Sequence, residues 1–168
     1  NILKGLLSVD VETRALNYDT FLERLTIDLV RSKELQLHGA LTLIKVDEFL
    51  EQESLFEGNP LPRVVKAISQ MIRDGITPTC LYGRIDEKIF AVYFFNVSPK
   101  DVFLWAEKLR IKIARKPVSV FTKQTTFTVS IGVASTTGKT DINEVLNNAE
   151  LALNKALEKG GNTVKSIN

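Results

Sequence analysis

Thr79-Cys80-Leu81-Tyr82-Gly83-Arg84-Ile85-Asp86-Glu87-Lys88-Ile89-Phe90-Ala91-Val92-Tyr93-Phe94-Phe95 reads as a β-hairpin. Two short apolar runs, 79–83 and 89–95, flank the polar stretch Arg84–Lys88, which puts the turn near Asp86. Upstream, Leu61, Val64, Val65, Ile68, Met71 and Ile72 fall on one helical stripe, opened by Asn59 and Pro60 and stopped at Gly75. Before it, Ala40–Val46 is a β-branched, apolar strand. Downstream, Ser98-Pro99 opens a helix whose apolar side is Val102, Trp105, Ala106, Leu109 and Ile113, ended before Pro117. Phe127–Ala134 then alternates as a strand. Strand, helix, strand, strand, helix, strand is the ferredoxin-like succession, an α+β fold with two helices on one face of an antiparallel sheet. That order brings the end of the first strand toward the hairpin turn, but it does not choose an activity.

Two further helices flank this core. Asn17 caps one, with Tyr18, Phe21, Leu22, Leu25 and Leu29 on its stripe. Asp141, with Glu144 three residues on, opens the other as a capping-box pair; Ile142, Val145, Leu146, Ala149, Ala152, Leu153 and Ala156 form its stripe. Gly160-Gly161 ends it, and Thr163-Val164 begins a short last strand. Ile2, Leu3, Leu6 and Leu7 make residues 1–9 the expected end of an incoming linker helix, leaving 10–168 as the domain. A first residue of Asn1 suggests a piece of a longer protein.

The chain has 168 residues, enough for one domain, and a domain of this size buries roughly 70% of its unfolded surface. Hydrophobic residues at 44% and charged residues at 25% are the balance of an ordinary globular protein. A formal charge of +2, without a basic run interleaved with aromatics, argues against a nucleic-acid partner. Cys80 is the sole cysteine, so neither an internal disulfide nor a cysteine-based zinc site can form, which suits a reducing cytoplasm. His38, the sole histidine, is expected on the surface. No apolar run approaches the roughly 20 residues of a membrane span, so no membrane contact by this domain is expected.

Four blocks carry a resemblance. Asp10-Val11-Glu12-Thr13-Arg14-Ala15-Leu16-Asn17-Tyr18-Asp19-Thr20-Phe21 resembles the D-x-L-T-G-L-x-N-R-x-x-F opening of GGDEF (diguanylate cyclase) domains. Leu43-Ile44-Lys45-Val46-Asp47-Glu48-Phe49 is similar to their L-I-D-I-D-x-F strand end. Val129-Ser130-Ile131-Gly132-Val133-Ala134 matches v-S-I-G-V-A, and 149–164 is similar to A-D-x-A-L-Y-x-A-K-x-x-G-R-N-x-V. The blocks stand in order over about 10–164. The resemblance implies a palm core of the nucleotidyl-cyclase type. It also implies a family activity in which a dimer joins two GTP molecules into cyclic di-GMP with Mg²⁺ held by acids.

The sequence departs from the family at those acids. Aligned without gaps, R-x-G-G-D-E-F falls on Arg84-Ile85-Asp86-Glu87-Lys88-Ile89-Phe90, so the metal-binding acid of the turn is Lys88 and both glycines are lost. On the first strand the metal-binding Asp is Lys45, while the second Asp survives as Asp47. The guanine-recognising Asn corresponds to Glu53, and its companion Asp falls near Pro62. Leu157 and Gly161 replace the Lys of the last helix and the Arg of G-R-N, and Thr77 and Cys80 replace the inhibitory R-x-x-D. A register with one extra hairpin residue would put Asp86-Glu87 on the D-E pair, but it displaces Phe90-Ala91-Val92 and leaves Lys45 unchanged.

These departures predict a catalytically inactive module of bacterial cyclic di-GMP signalling, used for regulation, dimerisation or partner contact. An N-terminal sensor or receiver domain is expected as its input, with no cofactor. Lys45, Asp47, Glu53, Asp86, Glu87 and Lys88 are the remnant nucleotide site. There Lys45 and Lys88 either offer ammonium groups to a phosphate or pair with Asp47, Asp86 or Glu87. Glu53 could accept hydrogen bonds from a guanine or be a plain loop acid. The alternatives are an active cyclase with an unusual site, holding Mg²⁺ through Asp47, Asp86 or Glu87, and a receptor for guanine nucleotides or cyclic di-GMP.

Overall fold

The computed structural model describes residues 8–49 and 58–167. The helices are α1 (Tyr18–Glu34), α2 (Leu61–Asp74), α3 (Pro99–Arg115) and α4 (Ile142–Glu158). The strands are β1 (Gly39–Val46), β2 (Leu81–Asp86), β3 (Ile89–Phe95), β4 (Val118–Val120), β5 (Lys123–Thr125), β6 (Val129–Ser135) and β7 (Val164–Ile167). Five strands form one sheet in the order β2-β3-β1-β6-β7, antiparallel except for the parallel β6–β7 pair.

The apolar character of β1 follows from its central position, because it is covered on both faces. Ile44 and Val46 face the core built by α2 and α3, with Val64, Val65, Ile68, Val102 and Ala106 packed over them. Leu41 and Leu43 face the core built by α1 and α4, with Phe21, Leu25, Leu29, Val145, Ala149 and Leu153. The two helices of the ferredoxin-like succession therefore share one face, and the flanking helices cover the other.

Local chemistry starts three of the four helices from the expected caps. Asn17 Oδ1 accepts the Thr20 N–H at 2.9 Å, Ser98 Oγ accepts that of Asp101 at 3.2 Å, and Asp141 Oδ1 accepts that of Asn143 at 2.9 Å. Glu144 turns to Lys139 at 3.3 Å, so the capping pair at α4 is one-sided. At α2 the expected cap is displaced by one residue: Pro60 is the cap and Asn59 precedes it, so no side chain caps the helix, although Asn59 Oδ1 accepts the Leu61 N–H at 3.1 Å.

Four expectations need correction. β2 starts at Leu81 because Cys80 belongs to a turn that donates its N–H to the Thr77 carbonyl at 3.0 Å. It runs on to Asp86 through an irregularity between Arg84 and Asp86, so the turn is Glu87-Lys88. The β4–β5 hairpin was not anticipated; strands of three residues are too short to show alternation. β6 begins at Val129, and Phe127 is buried off the ladder, edge-on to Phe49 at 5.1 Å.

Of the expected linker helix, residues 1–7 lie outside the described residues, and Val9 is extended, bridging Leu16. His38 is exposed. Among the described residues no helix is long and apolar enough to cross a membrane.

Candidate functional site

β1 and the β2–β3 hairpin end together, as the sequence order requires. The Val46 N–H donates to the Lys88 carbonyl at 2.9 Å, and Lys45 sits opposite Ile89 on one side and Ser130 on the other. By alternation with Leu41 and Leu43, Lys45 belongs to the face covered by α1 and α4. Lys88 instead leans on the ring of Phe49, 5.3 Å from its centroid, and Phe49 belongs to the α2–α3 core. The Lys88 ammonium pairs with Glu48 at 3.6 Å, a partner the sequence did not suggest. Lys45 has no ion pair among the described residues.

Asp47 is occupied within the fold. Its Oδ2 accepts from Thr128 Oγ1 at 2.7 Å and from the Asn162 N–H at 2.8 Å, and its Oδ1 accepts from Ser130 Oγ at 2.6 Å. It thereby ties the end of β1 to β6 and to the loop after α4. Gly161 leaves room for this clasp: a Cβ there would stand 3.0 Å from the Asp47 carboxylate carbon, and its φ of +83° suits glycine.

Asp86 and Glu87 line a groove of about 430 Å³ with Asp10, Glu12, Asn59 and Arg84. The organising residue is Arg84, which stands at the arginine position of the hairpin motif. Its Nη1 donates to Asp10 Oδ2 at 3.0 Å and to Glu12 Oε1 at 2.9 Å, and its Nη2 donates to the Glu87 carbonyl at 2.8 Å. One guanidinium thus fastens the Asp10–Leu16 loop to the hairpin. The loop is also held from inside. Ser69 Oγ donates to the Thr13 carbonyl at 2.8 Å, which makes the Tyr82 hydroxyl, 2.6 Å away, the donor to Ser69. Burial pushes the Tyr82 phenol far above its ordinary value. Glu53 lies outside the described residues.

Burial alone would raise the Asp10 carboxyl, but the Thr13 hydroxyl and Arg84 outweigh it and hold the group below its ordinary 3.8. A carboxylate depressed in the folded state stabilises fully above its unfolded value, and loses that contribution as pH falls through the folded one. The stability gap between the parent and Asp10→Asn is therefore expected to be constant above about pH 5 and to shrink toward about pH 3. Urea midpoints measured across that range check it; a gap that widens on acidification contradicts it.

A mostly antiparallel sheet between two helix pairs, with a hairpin tip beside the end of its central strand, is the α+β arrangement of GGDEF-type domains. The chain belongs to the GGDEF family of cyclic di-GMP signalling domains: the family model described as "Diguanylate cyclase, GGDEF domain" matches residues 7–163. The fold is similar to the FimX GGDEF domain from Pseudomonas aeruginosa, with a TM-score of 0.86 at 20% identity over 96% of this chain and 99% of that one. It is also similar to the GGDEF domain of DgcB from Caulobacter crescentus in complex with c-di-GMP, with a TM-score of 0.88 at 19% identity over 95% and 92%. A third likeness is to the diguanylate cyclase SiaD, in complex with its activator SiaC, from Pseudomonas aeruginosa, with a TM-score of 0.87 at 23% identity over 99% and 64%.

Proposed function

We propose that this GGDEF domain is a non-catalytic module that regulates by dimerisation or partner contact, with an N-terminal sensor or receiver domain as its input. The observation that carries the reading is the pair of lysines, Lys45 and Lys88, at the positions where the family motif has its metal-binding acids. Magnesium requires hard oxygen ligands, and an ammonium group repels it. The nearby acids do not compensate. Asp47 spends both oxygens on Thr128, Ser130 and Asn162, and Glu48 pairs with Lys88. Among the described residues no three His, Cys, Asp or Glu side chains converge as a metal site. Around Lys45 and Lys88 the described residues do not fit the ion, and no catalytic step is assigned to it. SiaD, seen with its activator SiaC, offers an analogy for a GGDEF protein that works through a protein contact.

Incubation of the purified chain with GTP and Mg²⁺, followed by mass spectrometry of the nucleotides, is expected to give no cyclic di-GMP above a protein-free blank. Product that disappears in an Asp86→Asn/Glu87→Gln variant would overturn the reading and establish a cyclase working through the hairpin acids.

A further inference from the structure

A second groove, of about 560 Å³, lies between α2, the Asp10–Leu16 loop and the segment Lys116–Ser119. It is separate from the hairpin groove, and among the described residues Glu12 is the one lining residue the two share. We propose that it binds a small organic anion bearing phosphate groups, with the phosphates taken by Arg14, Arg63, Lys66, Arg73 and Lys116 and the organic body resting on Ala67, Met71 and Val118. This inference is independent of whether the domain catalyses.

Three observations carry it. The first is charge: among the described residues five cations line one concavity, whereas the single acid there, Glu12, is already engaged by Arg84 at 2.9 Å. Among the described residues none of the five has an ion-pair partner. Like charges gathered in a cleft create a field that an anion relieves.

The second is Arg73. Its Nη2 donates to Gln70, yet its Nε is buried with no acceptor among the described residues. An unmet buried donor on a charged group is costly, and a phosphate oxygen would satisfy it.

The third is Arg14, held at a φ of +62°, a left-handed conformation that costs a side-chain-bearing residue about 1 kcal/mol. Gln36, Asn96, Phe121 and Asn162 share this conformation, but Arg14 alone of the five lines the groove, where the turn fixes its place on the rim.

The dimensions select the ligand. Arg63, Lys66, Gln70 and Arg73 recur at helical spacing on one face of α2, and ten residues span about 15 Å. A lone phosphate cannot reach both ends. A concavity within the roughly 300–1000 Å³ of small-molecule sites, with an apolar floor and a cationic rim, suits a nucleotide-sized organophosphate better than the flat face of a protein partner.

The test is calorimetric titration without magnesium, using ATP, sodium tripolyphosphate and a short polyglutamate peptide as probes. ATP is expected to bind, tripolyphosphate to compete more weakly for want of an organic body, and both affinities to fall as salt rises. Arg14→Gly is the decisive variant: it should weaken ATP binding about tenfold while the melting temperature holds or rises, because glycine accepts the left-handed backbone. Arg63→Ala/Arg73→Ala should abolish binding, and Arg31→Ala on α1 should leave it unchanged. The site is refuted by absence of heat with either phosphate probe, by equal affinity in Arg14→Gly, or by polyglutamate binding as tightly as ATP. The last result would make the groove a protein-docking face. Formation of cyclic di-GMP from GTP, insensitive to Arg14→Gly, would sink the non-catalytic reading and leave the groove standing.

Discussion

Replacing Gly132 by alanine is expected to lower unfolding stability by about 3 kcal/mol, the upper end of what overpacking costs. Gly132 lies in β6, paired with Leu43 of β1 and Lys165 of β7. A Cβ built on it would stand 2.2 Å from the Leu153 nitrogen, 2.7 Å from the Leu153 Cα and 2.8 Å from the Ala149 carbonyl oxygen. All three are backbone atoms of α4, so no side chain can rotate to make room. The helix must lift from the sheet, taking Val145, Ala149 and Leu153 away from Leu41 and Leu43. Gly138→Ala is the matched control. Its Cβ would meet nothing within 4 Å, and only its φ of +75° resists, which predicts a loss of about 1 kcal/mol. Urea denaturation followed by circular dichroism measures both. Equal losses at the two sites would mean that α4 does not sit against β6 as described.

The same contact shows why parts of this fold could be read in one dimension. Val129-Ser130-Ile131-Gly132-Val133-Ala134 carries the alternation of a strand, and its glycine marks a helix pressed against the sheet. Apolar stripes and caps gave α1, α2, α3 and α4, because those signals are local. The site was legible only in part, because its chemistry is assembled across long stretches of chain. Arg84 meets Asp10 across 74 residues and Glu12 across 72; the motif alignment marks it as the arginine ahead of the turn, but no local pattern names its partners. Lys88 finds Glu48 because β1 and β3 end together, a consequence of register and not of spacing. The cations of the second groove are scattered from Arg14 to Lys116. They form no run, so a count of net charge could not reveal them.

Asp47→Ala is expected to cost about 3 kcal/mol, and to lower the melting temperature by about 10 °C in a domain of this size, while Asp47→Asn costs about 1 kcal/mol. The difference lies in which partners can adapt. Alanine strands the Thr128 and Ser130 hydroxyls and the Asn162 N–H together, and Ser130 is fully buried. Asparagine keeps one oxygen, which can go on accepting from the Asn162 N–H and from Thr128, both of which now donate to Oδ2. Its amide nitrogen then faces Ser130 Oγ, and a hydroxyl can turn from donor to acceptor where a backbone N–H cannot. The partners lie 81, 83 and 115 residues away, so alanine also releases β6 and the turn after α4 from the end of β1. Thermal melts of the two variants measure the split. A carboxylate reserved for a ligand would behave in the opposite way: both variants would lose binding and neither would lose stability.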